Sequence, residues 1–434
     1  MSFAAQPSSL AGQRFLLGTV AHNQHVQNLA LAFYQSRLLA EYHTGGVDVW
    51  KSSWGRQARE FVGRLYPALN AKIARRQIST IPQILVTTDW RWEGCRLAGK
   101  YLGFGPMLED WIWERSEYAI DDYCTRKIDR DECDVFMGVE FGALRALGRA
   151  KELGKAGIVA FLSPHHATRE RWVDWEYERF PELLSRETKI LLDKGRLRDA
   201  RRDQEARTAD VIHCASRFTR DSLVAAGLPL KKIIVAPLGC PLVSTATSAP
   251  APGPVRFLYS GPASIRKGAH LLLDAWKKVR PSKAAELHFF GVVALPHRCL
   301  ENLGGNVFFH GPVGSARIAE EYRSSSVLVF PTLCDGFGMV VAEAFANGLP
   351  VITTPNAGAA DLVRENENGW LVTPGDVEAL AARLEWCIDH SESLKDLREP
   401  ARETARQWTW AHFRGRFLDQ LHEKLAPIVE STSA

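Results

Sequence analysis

No stretch of this 434-residue chain reaches the run of about 18 apolar residues that a membrane-spanning helix needs. Met1 to Gly12 lacks the charged start and apolar core of a signal peptide, so a cytoplasmic chain is expected. The eight cysteines (95, 124, 133, 214, 240, 299, 334 and 387) are scattered, without a Cys-x-x-Cys pair. That excludes a disulfide scaffold and gives no zinc pattern, so no metal and no tightly held cofactor is expected. No repeat with a period of about 20–50 residues is visible, which argues against solenoids and propellers. Nucleic-acid motifs are also missing, and a pI of 8.6 is mild for a nucleic-acid partner.

What remains is an ordinary globular composition, 46% hydrophobic and 24% charged, in a chain longer than one hydrophobic core usually serves. The net charge of +4 is unevenly spread. Residues 1–242 hold 35 Lys+Arg and 29 Asp+Glu, whereas 243–434 hold 19 and 21. Segment 51–76 carries seven basic residues against Glu60, and segment 107–134 carries ten acidic residues against four basic ones.

The boundary between halves reads as Val243 to Pro254, VSTATSAPAPGP, a Ser/Thr/Ala/Pro-rich linker. Before it, short apolar runs at 14–20, 81–87, 135–139, 158–162, 211–214 and 233–236 predict strands. After it, runs at 255–260, 285–291, 307–310, 327–331 and 351–354 do the same. Continuous rather than alternating apolarity implies strands buried on both faces, hence parallel sheets wrapped by helices. The expectation is an α/β protein of two domains, 1–242 and 255–410, with ligands at the carboxyl ends of strands and in the cleft between the domains.

The most informative stretch is Val327–Val351, VLVFPTLCDGFGMVVAEAFANGLPV. A strand ends at Pro331, a Gly-rich loop carries Asp335, and a helix runs from about Met339 to Asn347. Glycines allow close backbone approach, and a helix N-terminus attracts a diphosphate. Asp335 and Glu343 can address separate hydroxyls of one extended ligand. The plain alternative makes Asp335 an N-cap and Glu343 a solvated helix residue.

Asp335-Gly-Phe-Gly338 followed by Glu343-Ala-x-Ala-x-Gly-x-Pro-Val351 resembles the signature of retaining GT-B glycosyltransferases of glycosyltransferase family 4. Tyr259–Gly268 with Leu271–Trp276, Phe309–Val313, Gly358–Val363 and Asn368–Val372 are similar to the family's accompanying segments. The first half is covered weakly, through Ala209–Ser216 and Ile234–Gly239. The resemblance implies a GT-B fold of two Rossmann-like domains, with helix 411–434 crossing back to the first. It implies transfer of a sugar from a UDP- or GDP-linked donor to the hydroxyl of a glycan, lipid-linked or small-molecule acceptor, with retention and without a metal. Glu343 would bind the ribose, and Asp335 would face the transferred sugar. Gly336, Phe337, Gly338, Met339 and Val340 would hold the sugar and diphosphate. Arg266 and Lys267 would neutralise the leaving group. Gly261, Gly311, Pro312 and Val313 would line the nucleotide. Two departures stand out: Asp335 replaces the usual Glu, and Pro262 stands where the family commonly has Arg. They keep two rivals open, an epimerase or phosphorylase on the same fold and a non-catalytic binding subunit.

The first domain should supply the acceptor site and a histidine facing the donor, His165 or His166. Candidates on the acceptor side are His22, Asn23 and His25, after the first strand and at the head of a helical run from Val26 to Tyr42. Trp90 and Trp92, with Trp111 and Trp113, are read as lying in loop-like surroundings, able to stack on a sugar or meet a membrane. Asp129-Arg-Asp131 spells Asp-x-Asp but lies among mixed charges and reads as a solvated face. Segment 51–78 places Phe61, Val62, Leu65, Leu69 and Ile73 near helical spacing beside basic residues. It suits an anionic membrane surface, the alternative being a packed helix with a solvated basic face.

Overall fold

The computed structural model describes residues 10–49, 53–66, 73–74, 76–184, 186–244, 253–281 and 284–433. The first domain is built on seven strands: β1 (Phe15–Thr19), β2 (Leu39–Gly45), β3 (Val86–Asp89), β4 (Val135–Val139), β5 (Ala156–Phe161), β6 (Val211–Cys214) and β7 (Ile233–Val235). They run in the order β3-β2-β1-β4-β5-β6-β7, and every pairing is parallel. All residues of β1, β4 and β5 are buried, as expected for a sheet covered on both faces. The order reverses between β1 and β4, which opens a crevice at their carboxyl ends.

Three sequence expectations need correction here. The run from Val26 to Tyr42 is not one helix. Helix Gln24–Gln35 stops at Ser36, Arg37 adopts a left-handed φ of 59°, and β2 follows. Strand β2 was hidden by its polar residues, which find partners across the sheet: Glu41 accepts the hydroxyls of Thr87 and Tyr123, both at 2.5 Å. The strand expected at 81–87 begins only at Val86, after a 3-10 turn at Gln83–Leu85. Three of the four tryptophans are also not in loops: Trp92 lies on helix Arg91–Leu102, and Trp111 and Trp113 on helix Pro106–Asp129, whereas Trp90 sits in the connection after β3.

The second domain contributes β8 (Val255–Ser260), β9 (Ala263–Ser264), β10 (Ala285–Phe290), β11 (Val293–Ala294), β12 (Val307–Phe309), β13 (Val327–Phe330), β14 (Val351–Thr353) and β15 (Gly369–Leu371). Six form a parallel sheet, β12-β10-β8-β13-β14-β15, and β9 pairs with β11 beside it. The expected linker falls largely on 245–252, outside the described residues.

Helix Trp410–Ser433 returns to the first domain. Phe413, Phe417, Leu421 and Leu425 are buried; Phe417 meets Phe33 at 5.7 Å, and Arg414 donates to Asn28 and Gln35. The two crossovers touch where Cys240 N–H donates to Trp408 O at 2.6 Å. A seam joins the domains at the cleft floor. Ser216 Oγ donates to Gly336 O at 2.9 Å, and Arg217 donates to Asp361 through its backbone N–H and its Nε, both at 2.8 Å.

The basic segment forms helix Ser53–Leu65, with Phe61, Leu65 and Tyr66 exposed. Ile73 is buried, and so does not share that exposed face. Leu69 and the side chain of Val62 lie outside the described residues. Asp129 and Asp131 pair with Arg149 and Lys155 on the surface, as a solvated charged face does.

Candidate functional site

The second-domain wall is assembled from loops at the carboxyl ends of its strands. Strand β13 ends at Phe330, and helix Met339–Ala346 begins after Gly338, which has φ 85°. An added Cβ at Gly338 would sit 3.0 Å from the Phe330 ring. The helix can therefore start with its free N–H groups turned to the cleft. Loop 266–268 is zipped onto this segment. Leu333 N–H and Thr332 Oγ1 both donate to Arg266 O, at 3.0 and 3.1 Å. The Arg266 guanidinium donates to Cys334 O at 2.8 Å. Gly268, with φ 68°, has no room for a side chain, since a Cβ would lie 1.9 Å from Pro331 O.

This zipper brings the cations to the carboxylate. Lys267 Nζ pairs directly with Asp335 Oδ2, and Arg266 stands 3.9 Å away. Burial and the adjacent Arg266 push the Lys267 ammonium down, while the Asp335 carboxylate pulls it back up by favouring the charged form. Asp335 does not cap the helix. It is held by its own N–H to Asn356 O at 3.0 Å, and its Oδ1 accepts the Phe337 N–H at 3.3 Å. Glu343 is not simply solvated either: it is partly buried and accepts the hydroxyl of buried Tyr322 at 2.9 Å. Asp335 through Val340 and Glu343 thus share one loop-helix unit.

Beside it, Gly261, Gly291 and Gly311 stack backbone on backbone at the ends of β8, β10 and β12. Gly261 and Gly311 have φ of 110° and 69°, and Gly291 N–H donates to Gly311 O at 2.9 Å. Val313, just beyond Pro312, is exposed.

Across the seam, His165 and His166 follow β5. His165 Nδ1 accepts the Ala167 N–H at 3.2 Å, and its Nε2 lies 3.0 Å from Asp203. These contacts assign the ring proton to Nε2, donated to Asp203. Burial and neighbouring His166 lower its pKa. His166 Nε2 lies 3.2 Å from the same carboxylate, and its Nδ1 is 3.6 Å from Glu170. His165, His166 and Asp203 present ligand-type atoms within 4.8 Å of one another. Yet a metal-bound histidine donates through its second nitrogen, and that nitrogen of His165 accepts. The donor set therefore fits a hydrogen-bonded cluster better than an ion.

The remaining first-domain candidates separate. Asn23 caps helix Gln24–Gln35, accepting the Val26 N–H at 3.1 Å. His22 is partly buried near Arg76 and Glu93. His25 is buried against His213 and Phe413, so its ring belongs to the packing under the terminal helix. Trp90 donates from its indole to Val47 O at 3.1 Å. Trp92 packs edge-on to Trp111 at 5.5 Å and lines a small crevice with Val20, Asp89 and Ser116.

Sequence reasoning missed the buried pair Glu140–Arg202. Arg202 Nε lies 2.5 Å from Glu140, and its guanidinium also donates to Ser163 O and Pro164 O, which fixes the histidine loop. It missed Asp203 as well. Both partners of each pair lie far apart in sequence, and no short motif marks them.

The family model "Glycosyl transferases group 1" matches residues 245–404. A D-inositol 3-phosphate glycosyltransferase of Streptomyces griseus is 36% identical over 104 residues, 24% of this chain and 22% of that protein. A protein of the same description from Xylanimonas cellulosilytica is 27% identical over 248 residues, 50% of this chain and 58% of that one. The matches thus span less than two thirds of either relative. The crystal structure of Anabaena HepE in complex with UDP superimposes with a TM-score of 0.56 at 16% identity, over 94% of this chain and 99% of that one. Such a likeness establishes the fold, and the two facing parallel-sheet domains with a returning helix are GT-B. The similarity to the Glycosyl transferases group 1 family is confined to residues 245–404, the second half of the chain.

Proposed function

We propose that the protein is a glycosyltransferase that moves a sugar from a nucleoside diphosphate sugar to an acceptor hydroxyl, with retention of configuration. The observation that carries this reading is the convergence of Arg266, Lys267, Asp335 and the start of helix Met339–Ala346 on one cleft wall. A departing nucleoside diphosphate builds negative charge, and fixed cations and amide dipoles are worth most where that charge develops. Asp335, oriented by Lys267, accepts a hydrogen bond from a hydroxyl of the transferred sugar. Glu343, steadied by Tyr322, takes the ribose hydroxyls. The acceptor attacks on the face the diphosphate leaves, and a diphosphate oxygen takes its proton, so no enzyme nucleophile is required. Closure of the cleft keeps water from competing. Anabaena HepE, solved with UDP, supports a uridine donor over a guanosine one.

Calorimetry with UDP and GDP, followed by turnover of the matching sugars, tests the reading; no binding of either at millimolar concentration would refute it. Glu343→Ala should weaken nucleotide binding about tenfold or more, and unchanged affinity removes the ribose assignment. Incubation with donor alone separates transfer from epimerisation. Exposed Phe61 and Leu65 on the basic helix, with Tyr66 just past its end, support a second element of the proposal, contact with an anionic membrane surface. Co-sedimentation with anionic vesicles that persists in Phe61→Ser would refute that element.

A further inference from the structure

The chain does not stay on the first domain after the histidine loop. Helix His166–Arg169 runs into a π-type turn, Glu170–Asp174, then helix Glu176–Arg179 and a 3-10 turn at Pro181–Leu183. Along this strap the apolar side chains enter the second domain. Val173 is buried in a cluster with Leu271, Leu333 and Cys334, and Trp172 and Tyr177 pack around it. Phe180 is buried in the core that holds Phe257, Trp276 and Cys299, and it meets the His270 ring edge-on at 5.4 Å. His270 and Leu271 lie on helix Ala269–Val279, which starts directly after Lys267 and Gly268.

The polar groups of the strap are matched by the same surface. Glu176 is fully buried. Its two carboxyl oxygens accept Arg179 Nη1 at 3.0 and 3.1 Å, and it lies 3.4 Å from Nε2 of buried His270. Arg298 closes the seat from outside: its guanidinium covers the Phe180 ring at 4.5 Å, its Nε pairs with Glu182 at 2.8 Å, and it donates to Arg179 O. Parting a buried carboxylate from its partners is costly, and uncovering Phe180 and Val173 would return apolar area to water. The histidine loop at the head of the strap is anchored in the first domain instead. Arg202 binds Ser163 O and Pro164 O, Ser222 Oγ accepts the His165 N–H at 2.9 Å, and both rings reach Asp203. The strap thus joins two anchored ends. At its far end sit Leu333 and Cys334, whose backbone groups hold Arg266.

We propose that Phe180 is a positioning residue for sugar transfer: the strap it anchors rides with the donor domain and fixes the histidine loop against the Arg266–Lys267 loop. This rests on the glycosyltransferase reading. A bound nucleotide steadies the Arg266–Lys267 loop, and with it Leu333, Cys334 and Val173, so filling the donor site stiffens a segment of the other domain. The seam at Ser216 and Gly336 sets how close the domains come, and the strap sets the register of the two loops.

Hydrogen exchange on the full-length protein, with and without UDP, or GDP for a guanosine donor, reads this coupling. Nucleotide should slow exchange across 170–184 about tenfold and leave helix Leu144–Glu152 unchanged. Phe180→Ala should abolish that protection with nucleotide affinity retained. It should also lower donor turnover about tenfold or more, since a misplacement of about 1 Å at a reacting centre costs about a hundredfold. Phe180→Leu, which refills the seat, should restore both. Should Phe180→Ala unfold the second domain and lose nucleotide, Val173→Ala carries the same test, because its side chain lies outside that core. Absence of nucleotide-dependent protection across 170–184, or parental turnover in a variant that has lost it, would overturn the proposal. Equal losses of turnover and nucleotide affinity in Val173→Ala would make the strap a packing element only and overturn it too. A parent protein that binds neither UDP nor GDP, or turns over neither kind of donor, overturns the glycosyltransferase reading instead.

Discussion

Replacing Gly336 by alanine tests the cleft geometry directly. The added Cβ would sit 1.9 Å from Leu162 O, 2.8 Å from Leu162 C and 3.0 Å from Ser163 Cα. All three are backbone atoms, so no rotamer change relieves the clash. Restoring the smallest ordinary separation of 3.0 Å requires the domains to part by about 1 Å at the seam, since close-packed interiors do not absorb such a volume. Overpacking of this kind costs about 1–3 kcal/mol. Weakening the bond from Ser216 to Gly336 O adds about 1 kcal/mol. The strain is met by partial opening of the cleft. Because a 1 Å misplacement at a reacting centre costs about a hundredfold in rate, donor turnover should fall by roughly that factor. Nucleotide affinity should change little, because Lys267, Glu343 and the helix N-terminus all lie on the second domain. Steady-state turnover, UDP calorimetry and a thermal melt on the same preparation read these three quantities. Gly358→Ala, whose Cβ would lie 2.1 Å from Gly336 O, should show the same pattern. A Gly336→Ala protein with parental turnover and melting temperature would refute the reasoning.

Lys267→Met should lower turnover about a hundredfold through loss of one fixed charge at the leaving group, while UDP affinity falls far less; equal losses in both would make Lys267 a ground-state binder. His213 is buried under Phe413 and Phe417, and burial lowers its pKa to about 4. A depressed histidine contributes stability that is present above the unfolded value of 6.5 and is lost as pH falls toward 4. The loss reaches about 2 kcal/mol at pH 5, so His213→Leu should flatten the melting temperature between pH 7 and 5. Gly148, inside helix Leu144–Glu152, has no atom within 4 Å of an added Cβ. Gly148→Ala should therefore raise stability by about 0.5–1 kcal/mol in a denaturant melt.

The legible parts of the chain were those governed by local backbone needs. The apolar runs at β4, β5, β8 and β13 announced buried parallel strands, and the glycines between Asp335 and Met339 announced a helix start, because spacing alone encodes both. Strand β2 was not legible, since Glu41 and His43 look like solvent-facing polar residues until Thr87 and Tyr123 are brought beside them. Strand β15 spans only Gly369–Leu371, too few residues for a period. The pairing of Asp335 with Lys267 was only half legible: both residues stood out, but their contact depends on Gly268 letting two loops meet.

The acidic segment 107–134 changes meaning most. As a count it reads as a charged surface, and its end at Asp129 and Asp131 is one. Its middle is the reverse, because the same helix turns Asp121 inward onto two backbone amides and an arginine. Charge in the second domain follows the opposite pattern, with Arg266 and Lys267 gathered toward Asp335. The fixed cations of the cleft therefore belong to the wall built by loops 266–268 and 335–340. A diphosphate drawn to them would orient a nucleotide sugar with its leaving group toward Lys267. Reversing the sign at Arg266 with Arg266→Glu should remove that orientation, so that nucleotide binding and transfer both fall. Tight nucleotide binding with undiminished transfer would mean these cations play no part in aligning the donor.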